Sequence, residues 1–119
     1  MTEDQDKTLY IKEKFNLAIK YYQEGNVLQA ENHCNEILRV QPHNADILHL
    51  LGILKYQSDK TDFAITHISE SLQWNPDNAF AHYNLGNAYR KKGQPDRAIA
   101  CYQQALLLNT NFADAYNNL

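Results

Sequence analysis

Five histidines (His33, His43, His49, His67 and His82) and two cysteines (Cys34 and Cys101) are the side chains of this chain best suited to ligating a metal or attacking a substrate. Their placement argues against both. His33 and Cys34 are adjacent, and neighbours on a helix diverge by about 100°, so the pair shares no simple ligand face. Neither cysteine has a base beside it in sequence, and two cysteines do not make a disulfide framework. The four glycines, Gly25, Gly52, Gly86 and Gly93, never cluster into a phosphate-cradling loop. Arg90-Lys91-Lys92 is the one cationic run, placed where a helix ends and cations suit the helix dipole. It could also meet an acidic partner. No catalytic residue, metal ligand or cofactor is expected, and the chain itself is not expected to be an enzyme.

Composition narrows the remaining classes. Of 119 residues, 44% are hydrophobic and 21% charged, which is globular rather than disordered usage. The net charge of −3 does not suit a general nucleic-acid binder, which is usually basic. The first residues, MTEDQDKT, are polar and acidic, the wrong start for a secretory signal. The longest apolar patch, ILHLLGIL at 47–54, is too short to span a bilayer. A cytoplasmic protein with no nucleic-acid or membrane partner is the expectation.

The elements that position these residues come from an internal period of 34. Leu17, Leu51, Leu85 and Leu119 form one column of the repeat. Ala18, Gly52 and Gly86 form the next; Ala30, Ala64 and Ala98 a third; Leu38, Leu72 and Leu106 a fourth; Pro42, Pro76 and Thr110 a fifth. Three full units follow, 11–44, 45–78 and 79–112, with a fourth opening at 113–119. Residues 1–10 precede them, partly flexible or extending the first helix back towards Asp6 or Thr8. The expectation at the other end is a cut through a repeat, whose open apolar edge could mediate self-association.

Each unit reads as two helices. In the third, 79–92 carries apolar or small residues close to a 3.6 period, and 95–108 places Ala98, Ile99, Tyr102, Ala105 and Leu106 on one face. Between them lies Gly93-Gln94-Pro95, with the proline where a missing N–H is tolerated. The first unit turns at Gly25-Asn26. The second turns through 58–62 without a glycine. Pro42 and Pro76 end second helices, and Asn75 or Asn78 is placed to cap nearby. Gly52 and Gly86, with Ala64 and Ala98, let the two helices of a unit cross closely. Tyr21, Tyr89 and Tyr102 are expected in helix contacts, Cys34 in the core, and Cys101 partly exposed.

The third unit carries His82, Leu85, Gly86, Tyr89, Ala98, Tyr102, Ala105 and Thr110 at the spacing of the tetratricopeptide repeat. The other units carry the same series, with Lys55 and Ser71 as departures in the second. The chain resembles that family from residue 11 to its end. The resemblance implies an all-α fold of helix-turn-helix repeats stacked as a right-handed superhelix, an α-α solenoid. It also implies that first helices line a concave groove through their second, fifth, sixth, ninth, twelfth and thirteenth positions.

On that register the groove residues are Asn16, Tyr22, His49, Tyr56, Phe80, Tyr83, Asn84, Asn87 and Asn118. Amides offer a donor and an acceptor on a short stem, and rings supply apolar area at low entropy cost. The sixth-position asparagines 16, 84 and 118 resemble the asparagine ladder of O-linked N-acetylglucosamine transferase repeats, which holds an extended polypeptide by its backbone. Leu50 interrupts that ladder. Repeats that clamp a chaperone's C-terminal carboxylate place Lys and Asn in the first unit, Asn in the second, and Lys and Arg in the third, where this chain has Phe15, Ile19, Leu50, Phe80 and Asn84; none of these is basic, so a chaperone-tail clamp is not expected. The implied function is a protein-interaction module for a peptide or protein surface. The alternative is a non-catalytic N-terminal scaffold or targeting domain of a larger bacterial, glycosyltransferase-like chain.

Overall fold

A computed structural model of the chain describes residues 2–111, and all of them that are in regular structure are helical. The expectations for 113–119, including Asn118 and the opening of a fourth unit, lie outside the described residues. Six helices follow one another: α1 Glu3–Gln23, α2 Val27–Val40, α3 Ala45–Gln57, α4 Thr61–Trp74, α5 Ala79–Lys91 and α6 Pro95–Leu108. Consecutive helices pack, and α3 also touches α5, so the array is an α-α solenoid, 49 × 26 × 21 Å in extent.

Local chemistry sets the helix ends. Asn26, Asn44 and Asn78 each accept a backbone N–H through Oδ1 at the start of α2, α3 and α5, so orphan donors are satisfied there. α1 begins at Glu3, earlier than the Asp6–Thr8 start suggested by sequence. Thr2 and Gln5 form a reciprocal capping box, and Glu3, Asp4 and Asp6 favour the positive end of the helix dipole. At the other ends Gln41 and Asn75 leave the helical region (ψ 81° and 84°), because a residue before proline is pushed out of it. Asn75 therefore ends α4, and Asn78 is the cap.

Two glycines turn the chain in the left-handed region, Gly25 at φ 74° and Gly93 at φ 83°. The glycine-free second turn does the same with Asp59 at φ 60°. Gly52 and Gly86 have a different reason. A Cβ on Gly52 would lie 2.4 Å from Ile68 Cγ1, and one on Gly86 would lie 2.6 Å from the Tyr102 ring. The second helix of each pair closes over its partner at these points.

The two departures in the second unit are both accommodated. Ser71 is buried, and its Oγ donates to Ala45 O at 2.7 Å, tying α4 to the start of α3. Lys55 reaches Glu31 on α2 at 3.3 Å and lies over the Phe63 ring. The core runs in three apolar groups. One gathers Ala18, Cys34, Ile37, Ile47, Leu50 and Leu54 between α1, α2 and α3. A second centres on Ile68, Ala81 and Leu85, and a third on Ala98, Tyr102 and Ala105. No described helix is long and apolar enough to cross a membrane.

Candidate functional site: the face shared by α3 and α5

α3 and α5 stand side by side, and four of the residues singled out in the sequence meet between them. His49 and Tyr56 are two turns apart on α3, while Asn84 and Asn87 are one turn apart on α5, so each pair projects on one helix face. Asn84 Nδ2 donates to His49 Nε2 at 2.8 Å, a bond from one repeat to the next. Tyr56, Asn84 and Asn87, with Ile53 and Ile68, line a cavity of about 30 Å³, enough for one water-sized group.

Each amide at this cavity has one end already engaged. Asn87 Oδ1 accepts the Tyr102 hydroxyl at 2.5 Å. Tyr102 is 1% exposed, so its hydroxyl arrives from inside the α5–α6 packing. Its burial raises the phenol pKa, which keeps the hydroxyl protonated as the donor. Burial pushes the His49 imidazole below its usual value, against the opposing field of Asp46. A neutral ring has a free lone pair on one nitrogen, as the bond from Asn84 requires.

The end of this face is polar and charged. Lys91 Nζ sits 4.7 Å from the centre of the Tyr56 ring and pairs with Asp59 Oδ1 at 2.5 Å. Lys92 pairs with Asp62 at 2.7 Å. Two of the three cations in the basic run thus bind the acidic turn and the first residues of α4. The run ties neighbouring repeats together in addition to ending a helix.

The remaining candidates are distributed differently. Tyr83 is half-buried, with its ring tilted 44° against Tyr102 at 5.8 Å. Phe80 is 59% exposed at the start of α5. Tyr22 is half-buried against the apolar group that contains Leu50, and Asn16 is exposed on α1. Leu50 itself is 6% exposed, so the sixth position of α3 belongs to the core.

Sequence reasoning read Tyr102 as packing alone and gave Asp59 no role. A detectable signal existed for Asp59, since it stands in a turn whose sisters use glycine. None existed for Tyr102, whose hydroxyl reaches Asn87 only through the crossing angle of α5 and α6. The other chemistry-bearing side chains are packed or bonded locally. Cys34 is buried with its thiol pushed up to about 12, and His82 Nε2 is bonded to Pro76 O at 2.8 Å. Among the described residues no three His, Cys, Asp or Glu side chains converge on a metal position.

Residues 79–112 match the family model of the tetratricopeptide repeat. No curated protein sequence matches the chain. Among solved structures, an O-GlcNAc transferase from Thermobaculum terrenum superposes with a TM-score of 0.92 at 31% identity, over 100% of this chain and 22% of that one. The chain therefore spans about a fifth of that protein's length. The MamA protein superposes at 0.82 with 26% identity, over 90% of this chain and 58% of its own. The first tetratricopeptide domain of Spaghetti (RPAP3), solved with the HSP90 peptide SRMEEVD, superposes at 0.86 with 22% identity, over 96% and 88%. Residues 79–112 are a tetratricopeptide repeat, and the six-helix array to which they belong has the tetratricopeptide-repeat fold.

Proposed function

We propose that the chain is a protein-interaction module that holds an extended peptide along the face formed by α3 and α5. Its repeats run 11–44, 45–78 and 79–112. The observation that carries this reading is the meeting of Tyr56, Asn84 and Asn87 around one small cavity, with His49 bonded to Asn84 beside it. An amide pair beside aromatic rings suits a polypeptide, whose backbone alternates donors and acceptors and whose side chains need apolar seats. A cytoplasmic peptide partner goes with it. The domain similar to this one that was solved with an HSP90 peptide supports peptide binding as a use of the fold. The chaperone tail is a poor fit here, because a carboxylate seated at Leu50 and Phe80 would lack a cationic partner.

The test uses a pool of short, end-blocked, unstructured peptides of mixed sequence. The wild-type chain should retain a subset, and a folded Tyr83→Ala/Asn84→Ala variant should lose it. Equal retention by that variant would refute the assignment of the groove.

A second reading places the chain as a non-catalytic scaffold at the N-terminus of a bacterial transferase. The 31% identity to a transferase of which this chain spans 22% favours it. The two readings are compatible, since a scaffold binds its target by the same groove. Coding sequence downstream of Leu119 that specifies a transferase domain would support it, and a stop codon after further repeats would remove it.

A further inference from the structure

We propose that His49 and Tyr102 are positioning residues that lock Asn84 and Asn87 into a fixed acceptor–donor pair, so that the groove reads the direction of an extended peptide. The proposal rests on the groove reading above and adds how the groove's own amides are oriented. A free asparagine side chain presents its oxygen or its nitrogen by turning over, and so does not distinguish a peptide C=O from a peptide N–H. Neither amide is free to do so here. Asn84 gives Nδ2 to His49 Nε2 at 2.8 Å, which leaves Oδ1 as its outward acceptor. Asn87 gives Oδ1 to the Tyr102 hydroxyl at 2.5 Å, which leaves Nδ2 as its outward donor.

The two anchors are unequal. The Tyr102 hydroxyl can also accept, but a turned-over Asn87 would leave its buried proton without the Oδ1 that accepts it, and the raised phenol pKa keeps that proton in place, so Asn87 keeps its orientation at ordinary pH. His49 can reverse its role. As neutral imidazole with its proton on Nδ1 it accepts from Asn84 at Nε2; as imidazolium both ring nitrogens donate. Protonation would then turn Asn84 over, bringing Oδ1 to the ring and Nδ2 outward. The pair would become donor and donor, and would no longer match a backbone N–H at Asn84. α5 faces the ring with the neutral Asn84, and Asp46, earlier on α3 itself, is the charged group whose field reaches it. The ring's charge is therefore set chiefly by its burial, which favours the neutral form that the bond from Asn84 requires.

Asn84 and Asn87 line the same cavity of about 30 Å³, which has room for one water-sized group. A backbone carbonyl oxygen seated there would accept from Asn87 Nδ2, and the N–H of a neighbouring peptide unit would reach Asn84 Oδ1. A chain running the opposite way would bring the two groups in the wrong order.

The experiment has a ligand-free arm and a peptide arm. In the ligand-free arm, nitrogen NMR of the whole chain follows His49 and the Asn84 and Asn87 side-chain amides through a pH titration. The expected result is an unprotonated Nε2 at neutral pH, with the Asn84 amide signals moving at the His49 midpoint and those of Asn87 unmoved. Asn84 signals that ignore the His49 titration would overturn the locking. In the peptide arm, His49→Phe and Tyr102→Phe, each checked for retained helix content, are tested against the same mixed-sequence peptide pool. Each should weaken retention about tenfold, and His49→Phe should also abolish the loss of binding on acidification. Peptides that bind wild type and both variants alike would overturn the positioning roles and leave the groove reading standing. A wild-type chain that retains no peptide would overturn the groove reading, and the proposal with it.

Discussion

The seam between the first helix pair and α3 and the seam between the second pair and α5 occupy equivalent places in the repeat, yet their sixth positions carry opposite chemistry. At the first seam the sixth position of the incoming helix is Leu50, buried with Ala18, Ile47 and Leu54. At the second it is Asn84, whose amide crosses to His49. The second seam is further tied by Lys91 to Asp59 and Lys92 to Asp62, and its apolar part is the smaller group around Ile68 and Leu85. One seam is apolar at this position, with the Lys55–Glu31 pair as its polar tie. The other carries a directed bond from an amide to an imidazole. A solenoid can do both because its stability is approximately a sum over neighbouring interfaces.

The largest effect should come from forcing the second chemistry into the first seam. Leu50→Asn removes a buried side chain and buries an amide without a partner, and should cost about 4 kcal/mol in chemical denaturation. A cost below that of a surface substitution would show that the first seam is not an apolar core. Next comes Gly86→Ala. The added methyl meets the Tyr102 ring at 2.6 Å, and overpacking of this kind costs about 2 kcal/mol. The gain in helix propensity, about 1 kcal/mol, offsets part of it. Melting should drop, and the Tyr102 to Asn87 bond should loosen in the amide spectrum.

The reverse exchange, Asn84→Leu, should cost about 1–2 kcal/mol, because the half-buried His49 nitrogen loses its partner. If it instead stabilises the chain, the second seam is an apolar interface that happens to carry an asparagine. pH gives a graded test of the same seam. Burial holds His49 below its ordinary 6.5, and burial and then Lys55 hold His67 below it. The unfolded chain therefore binds more protons than the folded one as pH falls. The contribution of both rings is fully present above 6.5 and is lost as pH drops through their folded-state values. Denaturation midpoints measured at falling pH should decline, and less so in His49→Phe. The smallest effect belongs to the exposed ion pairs. Lys91→Met and Asp59→Gly should leave the unfolding midpoint nearly unchanged at moderate salt, because screening removes most of what such pairs supply. Asp59→Gly also relieves a left-handed backbone at φ 60°.

The sequence by itself determined the repeat, the helix pairs and the small residues at their crossings. These features follow local rules: periodicity decides which face is apolar, proline and asparagine decide where helices stop and start, and glycine marks where two backbones approach. It also sufficed to bring His49, Tyr56, Asn84 and Asn87 forward as candidates, once the family's register was applied. Tertiary structure decided what those residues face. That Asn84 meets His49, 35 residues earlier, depends on how α5 lies against α3. That Tyr102 spends its hydroxyl on Asn87 depends on how closely α6 crosses α5 above Gly86. The early start of α1 hung on a capping box at its first turn, and the compensation of Lys55 and Ser71 on partners in other helices. A hydrogen bond is decided within a few tenths of an ångström and within a narrow range of angles. Sequence spacing along one helix fixes neither between two.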